Sequence, residues 1–460
     1  MKIGFSKINI TPPLGTQMCG QLFEYRAKGV ESNLYATAMY LDDGDSQVAF
    51  VSCDVLVISN ETAKEIRSAT EKTSQISADN IILCVTHTHS GPMTQDLFGM
   101  DANSEYVVQM KTNIVEAVKQ ARDNAFDGQM HIAKDQFPGY AFNRRFIMSD
   151  GTIETHPLKN DPHIVRAEGP DSKDLTVFYA ADSKGKSLGA VIVFGCHATV
   201  MHRDNDLISS DFCGKLVEFV SDKLGGVPVL FLQAASGNIC ATNPLDTSKT
   251  EVGLEWAKTM GTGIGQKAIE LIEDKLSAAT GAIHVLTKTI NLPRRAIDPE
   301  LVEWANKHKY KETRLPVLSD YGTEHYGKLE RPKVSLAELF KTPFWANFYA
   351  NEIKTLEKYR QDEPNMPFTI KVITADNWAI VSLPCELFIE WSNLICEKSP
   401  FEFTTVVELA NGFNGYIPTR EAFRRKGGYE TKEVSSTMLI PEAGDLMAGA
   451  VLEMLSEMKQ

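Results

Sequence analysis

"NIILCVTHTHSGP", Asn80 to Pro92, is an apolar run that ends on two histidines and a Ser-Gly-Pro turn. A short continuous apolar stretch closed by a breaker reads as a strand buried on both faces. Extended backbone through the histidines would put His87 and His89 on one side and the two threonines on the other. Such a pair at a strand end aims two imidazoles into one cleft, where they can ligate a metal or carry protons. Taken alone, the motif leaves a structural role equally open.

Other apolar runs have the same character. "YATAMYL", "QVAFVSCDVLV", "LTVFYA", "GAVIVFGCHA", "VPVLFL", "FTIKVITA" and "WAIVSL" all read as buried strands. Between them, "NETAKEIRSAT", "YVVQMKTNIVEAVKQAR", "DFCGKLVEFVSDKL" and "GLEWAKTMGTGIGQKAIELIEDKL" carry helical spacing. Strands alternating with helices imply an α/β fold, a mixed and partly parallel sheet flanked by helices. The stretch at about 293–367 is charged, helical and Pro-punctuated, with Phe344, Trp345, Phe348 and Tyr349 clustered in it. It reads as a helical insertion in a single domain spanning 1–460, and a last helix is expected near "AGDLMAGAVLEMLSEM".

Composition narrows the partners. The 460 residues are 43% hydrophobic and 23% charged, with a formal net charge of -13. That suits a large core and argues against nucleic acid and anionic membranes as partners. No run has the ~18 apolar residues of a membrane span. "MKIGFSKINITPPLG" lacks the apolar core of a secretory signal, so a cytoplasmic location is expected. The eight cysteines form no CxxC pair and are expected to be reduced and buried.

A second histidine motif sharpens the first. "VIVFGCHATVMH" places His197 just past another predicted strand, with His202 read as a loop histidine. Ends of central strands are where open α/β sheets hold ligands. A zinc site also wants a carboxylate, but the chain holds 60 Asp and Glu, so composition selects none. Glu386, just past "WAIVSLP", stands out modestly, and taken alone it reads better as a helix N-terminal acid.

Taken together, "THTHSGP", "HATVM", "LPCELF" and "GFNGYIPT…GGYE" resemble, in order and spacing, the neutral/alkaline non-lysosomal ceramidase family. "FSKINITPPLG", "LYATAMYLDDG" and "VSCDVLVIS" are also similar to its N-terminal part. The resemblance implies a zinc-dependent amidohydrolase that cleaves an N-acyl bond, with one catalytic Zn2+. It implies His87, His197, Glu386 and Tyr416 as metal ligands. It also implies His89 as the acid/base, Tyr429 as the group on the scissile carbonyl, and Arg144 as a residue lining the site. The chemistry is coherent, because zinc lowers the pKa of its water towards ~7. A histidine beside it can move a proton to the leaving amine.

Two departures from the family pattern stand out. Where the family carries a Gly-Asp-Val-Ser-Pro-Asn segment, this chain reads "GNICATN", which puts Cys240 at the serine position. A shifted register offers Ser236 instead, and neither is expected to be a nucleophile. The chain also resembles the catalytic domain alone, with no C-terminal β-sandwich domain expected. The expected partner is therefore a small-molecule N-acylated substrate, lipids included, and one smaller than ceramide is admissible. An esterase or lactonase could use the same site on a C–O bond. A metallo-β-lactamase would need His-x-His-x-Asp-His, and a barrel amidohydrolase would carry His-x-His on its first strand. A non-catalytic metal-binding homologue is disfavoured, because every site residue is present.

Overall fold

The computed structural model describes the chain apart from residues 22, 98, 202–204, 280, 310–322, 327–328, 333–341, 426 and 460. Its centre is a nine-stranded sheet. From one edge the order is Val229–Gln233, Ser187–Phe194, Asp174–Asp182, Phe126–Gln136, Lys2–Asn9, Tyr35–Asp42, Gln47–Cys53 and Ile81–Val85. Ser277–Ala278 adds to Phe126–Gln136. The outermost pair at each edge is parallel and the middle is antiparallel. The mixed sheet expected from the sequence is thus observed.

Helices cover this sheet where their apolar stripes require it. Asn60–Ser74 and Ser104–Asp123 bury Ile66, Met110, Ile114 and Val118 on one limb. Asp211–Lys223 and Leu254–Asp274 bury Phe212, Leu216, Ile264 and Ala268 on the other. The first pair is capped by Ser59 and Asn103, whose side chains accept the Thr62 and Tyr106 backbone N–H groups.

The sheet also curls. The Ser52 hydroxyl on one limb donates to the Phe231 carbonyl on the other, at 2.5 Å. Between the limbs lies a core of Phe50, Ile82, Val191, Leu230 and Leu232, sealed by Trp378 and Ile380. The last two belong to a four-stranded sheet ordered His284–Pro293, Asn365–Ala375, Trp378–Ser382, Phe403–Val407. Single bridges from Cys84 to Ala410 and from Ala234 to Val407 stitch the two sheets together. The curl and the seam bring four strand ends to one place: those after Val85, Phe194, Ser382 and Val407.

Between Pro293 and Asn365 the chain forms the helices Pro299–Lys307 and Pro343–Asp362 and a hairpin of Thr323–Tyr326 with Leu329–Pro332. The helices pack through Ala305, Ala350, Ile353 and Leu356. They dock on the loop after Glu430, where Glu352 accepts the Ser435 N–H and Arg295 pairs with Glu433.

Candidate functional site

His87 does not lie in the strand as expected. The strand stops at Val85, and His87 has a left-handed φ of 64°. The turn is held because Thr86 N–H donates to the Cys53 carbonyl and His87 N–H to the Val55 carbonyl. Strand alternation therefore does not bring the two histidines together; this turn does. The strand is also an edge strand rather than a central one, and only the curl of the sheet places it near Val229–Gln233, the strand paired with Ser187–Phe194.

Three imidazoles meet there. One ring nitrogen from each of His87, His89 and His197 lies within 4.8 Å of the other two. Each Nδ1 faces a backbone carbonyl: Leu56 for His87 at 2.7 Å, Gly20 for His89 at 2.9 Å, Ser236 for His197 at 2.7 Å. A carbonyl only accepts, so each Nδ1 carries the proton and each Nε2 is bare towards the centre. Gly20 is required for one of these contacts: its φ is 100°, and a Cβ there would sit 2.7 Å from the His89 side chain. Burial holds the pKa of His87 below its ordinary value and those of His89 and His197 well below, so all three stay neutral.

Glu386 completes the cluster from the segment that follows Trp378–Ser382 of the second sheet. Its Oε2 lies 3.1 Å from His197 Nε2 and 3.6 Å from His87 Nε2. His87 and His89 approach to 3.4 Å through Nε2. A tetrahedral ion with bonds of about 2.0–2.1 Å holds its donor atoms about 3.3 Å apart, a spacing that the two Glu386–histidine separations bracket, so His87, His197 and Glu386 fit an ion such as zinc. The donor chemistry fits as well, since bare nitrogen lone pairs facing a carboxylate repel unless a cation lies between them.

Tyr416 sits beside Glu386 in a two-residue parallel ladder. Arg144 Nη2 donates to its hydroxyl oxygen at 3.1 Å and to the Gly237 carbonyl at 2.7 Å. Burial, Glu386 and Tyr429 push the Tyr416 pKa well above its ordinary value, and Arg144 only partly offsets them. Tyr429 packs edge-on against Tyr416 with ring centroids 6.1 Å apart, and the Arg144 guanidinium lies 5.1 Å from its ring. The structure thus brings together all seven side chains singled out in the sequence. His202 lies outside the described residues.

Residues 1–229 match the family described as "Neutral/alkaline non-lysosomal ceramidase, N-terminal". The neutral ceramidase of Pseudomonas aeruginosa is 24% identical over 319 residues, covering 66% of this chain and 46% of that protein. The neutral ceramidase of Drosophila pseudoobscura is 26% identical over 270 residues, covering 55% of this chain and 36% of that one. The match therefore spans less than half the length of these relatives. The crystal structure of the Pseudomonas aeruginosa neutral ceramidase superposes with a TM-score of 0.72 at 17% identity, over 99% of this chain and 74% of that one, which shows a shared fold.

The N-terminal half of the chain, residues 1–229, belongs to the neutral/alkaline non-lysosomal ceramidase family.

Within that family frame, the two residues set aside in the sequence separate clearly. Ser236 stands behind His197: its carbonyl accepts the Nδ1 proton and its Oγ lies 3.3 Å from Nδ1, the side turned away from the cluster. Cys240 lines a cavity with Arg144, Phe146, His156, Pro157, Thr242 and Pro244, and none of the three histidines lines it.

Two acids escaped the sequence reading. Glu430, fully buried, accepts Arg144 Nε at 3.0 Å and Arg145 Nη1 at 2.6 Å. Burial opposes its charge, but the two arginines win and hold its pKa below the ordinary value. Glu408, also fully buried, is pushed up to about 8 by burial, with Glu386 adding to the shift. The available signal for Glu430 was its place directly after Tyr429; for Glu408 it was an acid closing the apolar run "TTVV".

Proposed function

We propose that this chain is a zinc-dependent amidohydrolase that cleaves the N-acyl C–N bond of a small-molecule substrate by ceramidase-like chemistry, with substrates smaller than ceramide admitted. The observation that carries this reading is the division of the cluster by exposure. His87, His197, Glu386 and Tyr416 are buried, as ligands of one ion should be, whereas His89 and Tyr429 are only partly buried and can meet a substrate. Zinc held by the four buried groups would supply Lewis acidity and lower the pKa of water.

The protein's own groups account for the rest. Arg144 favours the phenolate form of Tyr416 by placing a cation and a donor on its oxygen. His89, fixed through Nδ1 by Gly20, presents a bare Nε2 that accepts a proton and returns it to the leaving nitrogen. An amide needs that proton, because an amide anion is a very poor leaving group. The Tyr429 hydroxyl donates to the carbonyl oxygen as negative charge develops on it.

The test is a panel of zinc-loaded assays on N-acyl amides of graded acyl length and on the matching esters. Release of free amine from short N-acyl compounds, abolished by a chelator and restored by zinc, is the expected result. Release of alcohol without amine would make the protein an esterase or lactonase. Neither product, with no metal by elemental analysis, would overturn the reading.

A further inference from the structure

Glu408 is a carboxyl with no exposed surface in a core that apolar side chains would fill at less cost. It ends the strand Phe403–Val407 of the second sheet, and its N–H donates to the Gln233 carbonyl on the first, at 2.9 Å. Its two carboxyl oxygens reach two different chain segments. Oε1 accepts the Ser236 hydroxyl at 2.5 Å, and Oε2 accepts the Leu387 N–H at 2.6 Å. The direction at Ser236 follows from its other partner: Gln233 Nε2 donates to the same Oγ at 2.8 Å, so the hydroxyl proton points to Glu408.

Those two segments carry two of the converging side chains. Ser236 holds His197, because its carbonyl accepts the Nδ1 proton at 2.7 Å. Gln233 braces the same histidine from its other flank by donating to the Cys196 carbonyl at 2.7 Å. Leu387 directly follows Glu386. The segments are pressed together at Gly237, whose N–H donates to the Leu387 carbonyl at 2.8 Å. A Cβ at Gly237 would lie 2.7 Å from the Glu386 carbonyl oxygen.

We propose that Glu408 is a positioning residue that locks His197 and Glu386 in register across the seam between the two sheets, through Ser236 on one side and Leu387 on the other. The proposal rests on the metal-centre reading for its consequence and on the hydrogen bonds alone for its geometry. Groups that orient metal ligands from behind matter to affinity, and losing one typically costs about 10–100-fold.

The experiment compares zinc affinity, by competition with a chromophoric chelator, in the full-length protein and in three variants. Glu408→Leu removes both acceptors and is expected to weaken zinc binding about 10–100-fold. Glu408→Gln keeps an acceptor for Leu387 and an amide for the Ser236 oxygen, so it is expected to rescue binding to within about threefold of wild type. Ser236→Ala breaks the His197 arm alone and is expected to fall between the two. Zinc binding by folded Glu408→Leu within about twofold of wild type would overturn the proposal. If Glu408→Leu does not fold, the same result from Ser236→Ala overturns it.

Should the wild type take up no zinc, the metal-centre reading fails on its own. Glu408 is then judged on the metal-free protein by the imidazole 1H–15N signal of His197 Nδ1. A shifted or exchange-broadened signal in Glu408→Leu or Ser236→Ala upholds the positioning role. A signal identical to wild type ends it.

Discussion

His197 Nε2 lies 3.1 Å from Glu386 Oε2, although 189 residues separate the two along the chain. They reach each other because the first sheet curls and the second docks across its open side. With neutral imidazole on one side and a carboxylate on the other, the pair faces lone pair to lone pair, which a cation relieves. His197→Ala and Glu386→Ala should each abolish stoichiometric zinc uptake, measured by elemental analysis after dialysis. The loss should exceed the ~10–100-fold that follows removal of an outer partner. Retention of one zinc per chain by either variant would remove these residues from the ligand set.

His89 should behave differently from its neighbour two residues away. Its ring is fixed by the Gly20 carbonyl at 2.9 Å and stays partly exposed, whereas His87 is buried. His89→Ala is therefore expected to keep zinc but lose turnover on amides by about 10²–10⁴-fold, the usual scale for a lost general acid or base. Amides should suffer more than esters of the same acyl chain, since an alkoxide leaves without prior protonation far more readily than an amide anion. Loss of zinc in this variant would instead make His89 a ligand.

How much of this was legible beforehand depends on whether a feature is local. Buried strands such as Ile81–Val85 and Trp378–Ser382 announce themselves as apolar runs. Lys2–Asn9, Phe126–Gln136 and His284–Pro293 do not, because each carries polar or exposed residues along its length. The seven residues that the structure brings together were named because their short motifs resemble a family pattern; residue type and spacing alone singled out only the histidines and, modestly, Glu386. The left-handed turn at His87 was not legible, since it depends on backbone partners at Cys53 and Val55. Glu408 and Glu430 were hidden for a related reason: only the packing of distant segments makes an acid buried. The curl of the sheet, which makes an edge strand part of the centre, has no local signature at all.

Glu430 carries a stability prediction. It is the shared carboxylate of two arginines, and Arg144 and Arg145 are buried with it. Glu430→Ala leaves two buried guanidinium groups with much less compensation. Breaking a buried pair of this kind costs about 3–5 kcal/mol. Urea unfolding of the metal-free protein should show that loss as a lower midpoint with little change in slope. A loss under about 1 kcal/mol would mean that water or Glu168 takes over the charge.

Asp54 supplies the pH dependence. It is partly buried, its Oδ2 accepts the Tyr35 N–H at 2.9 Å, and desolvation pushes its pKa from 3.8 up to about 6. Between those two values the folded protein keeps a proton that the unfolded chain has released. Stability from this group therefore falls as pH rises through that window and is flat above about 6. The full penalty is about 3 kcal/mol at 1.36 kcal/mol per pKa unit. Asp54→Asn keeps an acceptor for Tyr35 and cannot ionise. It should match wild type near pH ~4 and exceed it by up to about 3 kcal/mol at pH ~8, measured by chemical denaturation of metal-free protein. An advantage that stays constant with pH, or that grows towards acid, would show that Asp54 is ionised in the fold across the whole range.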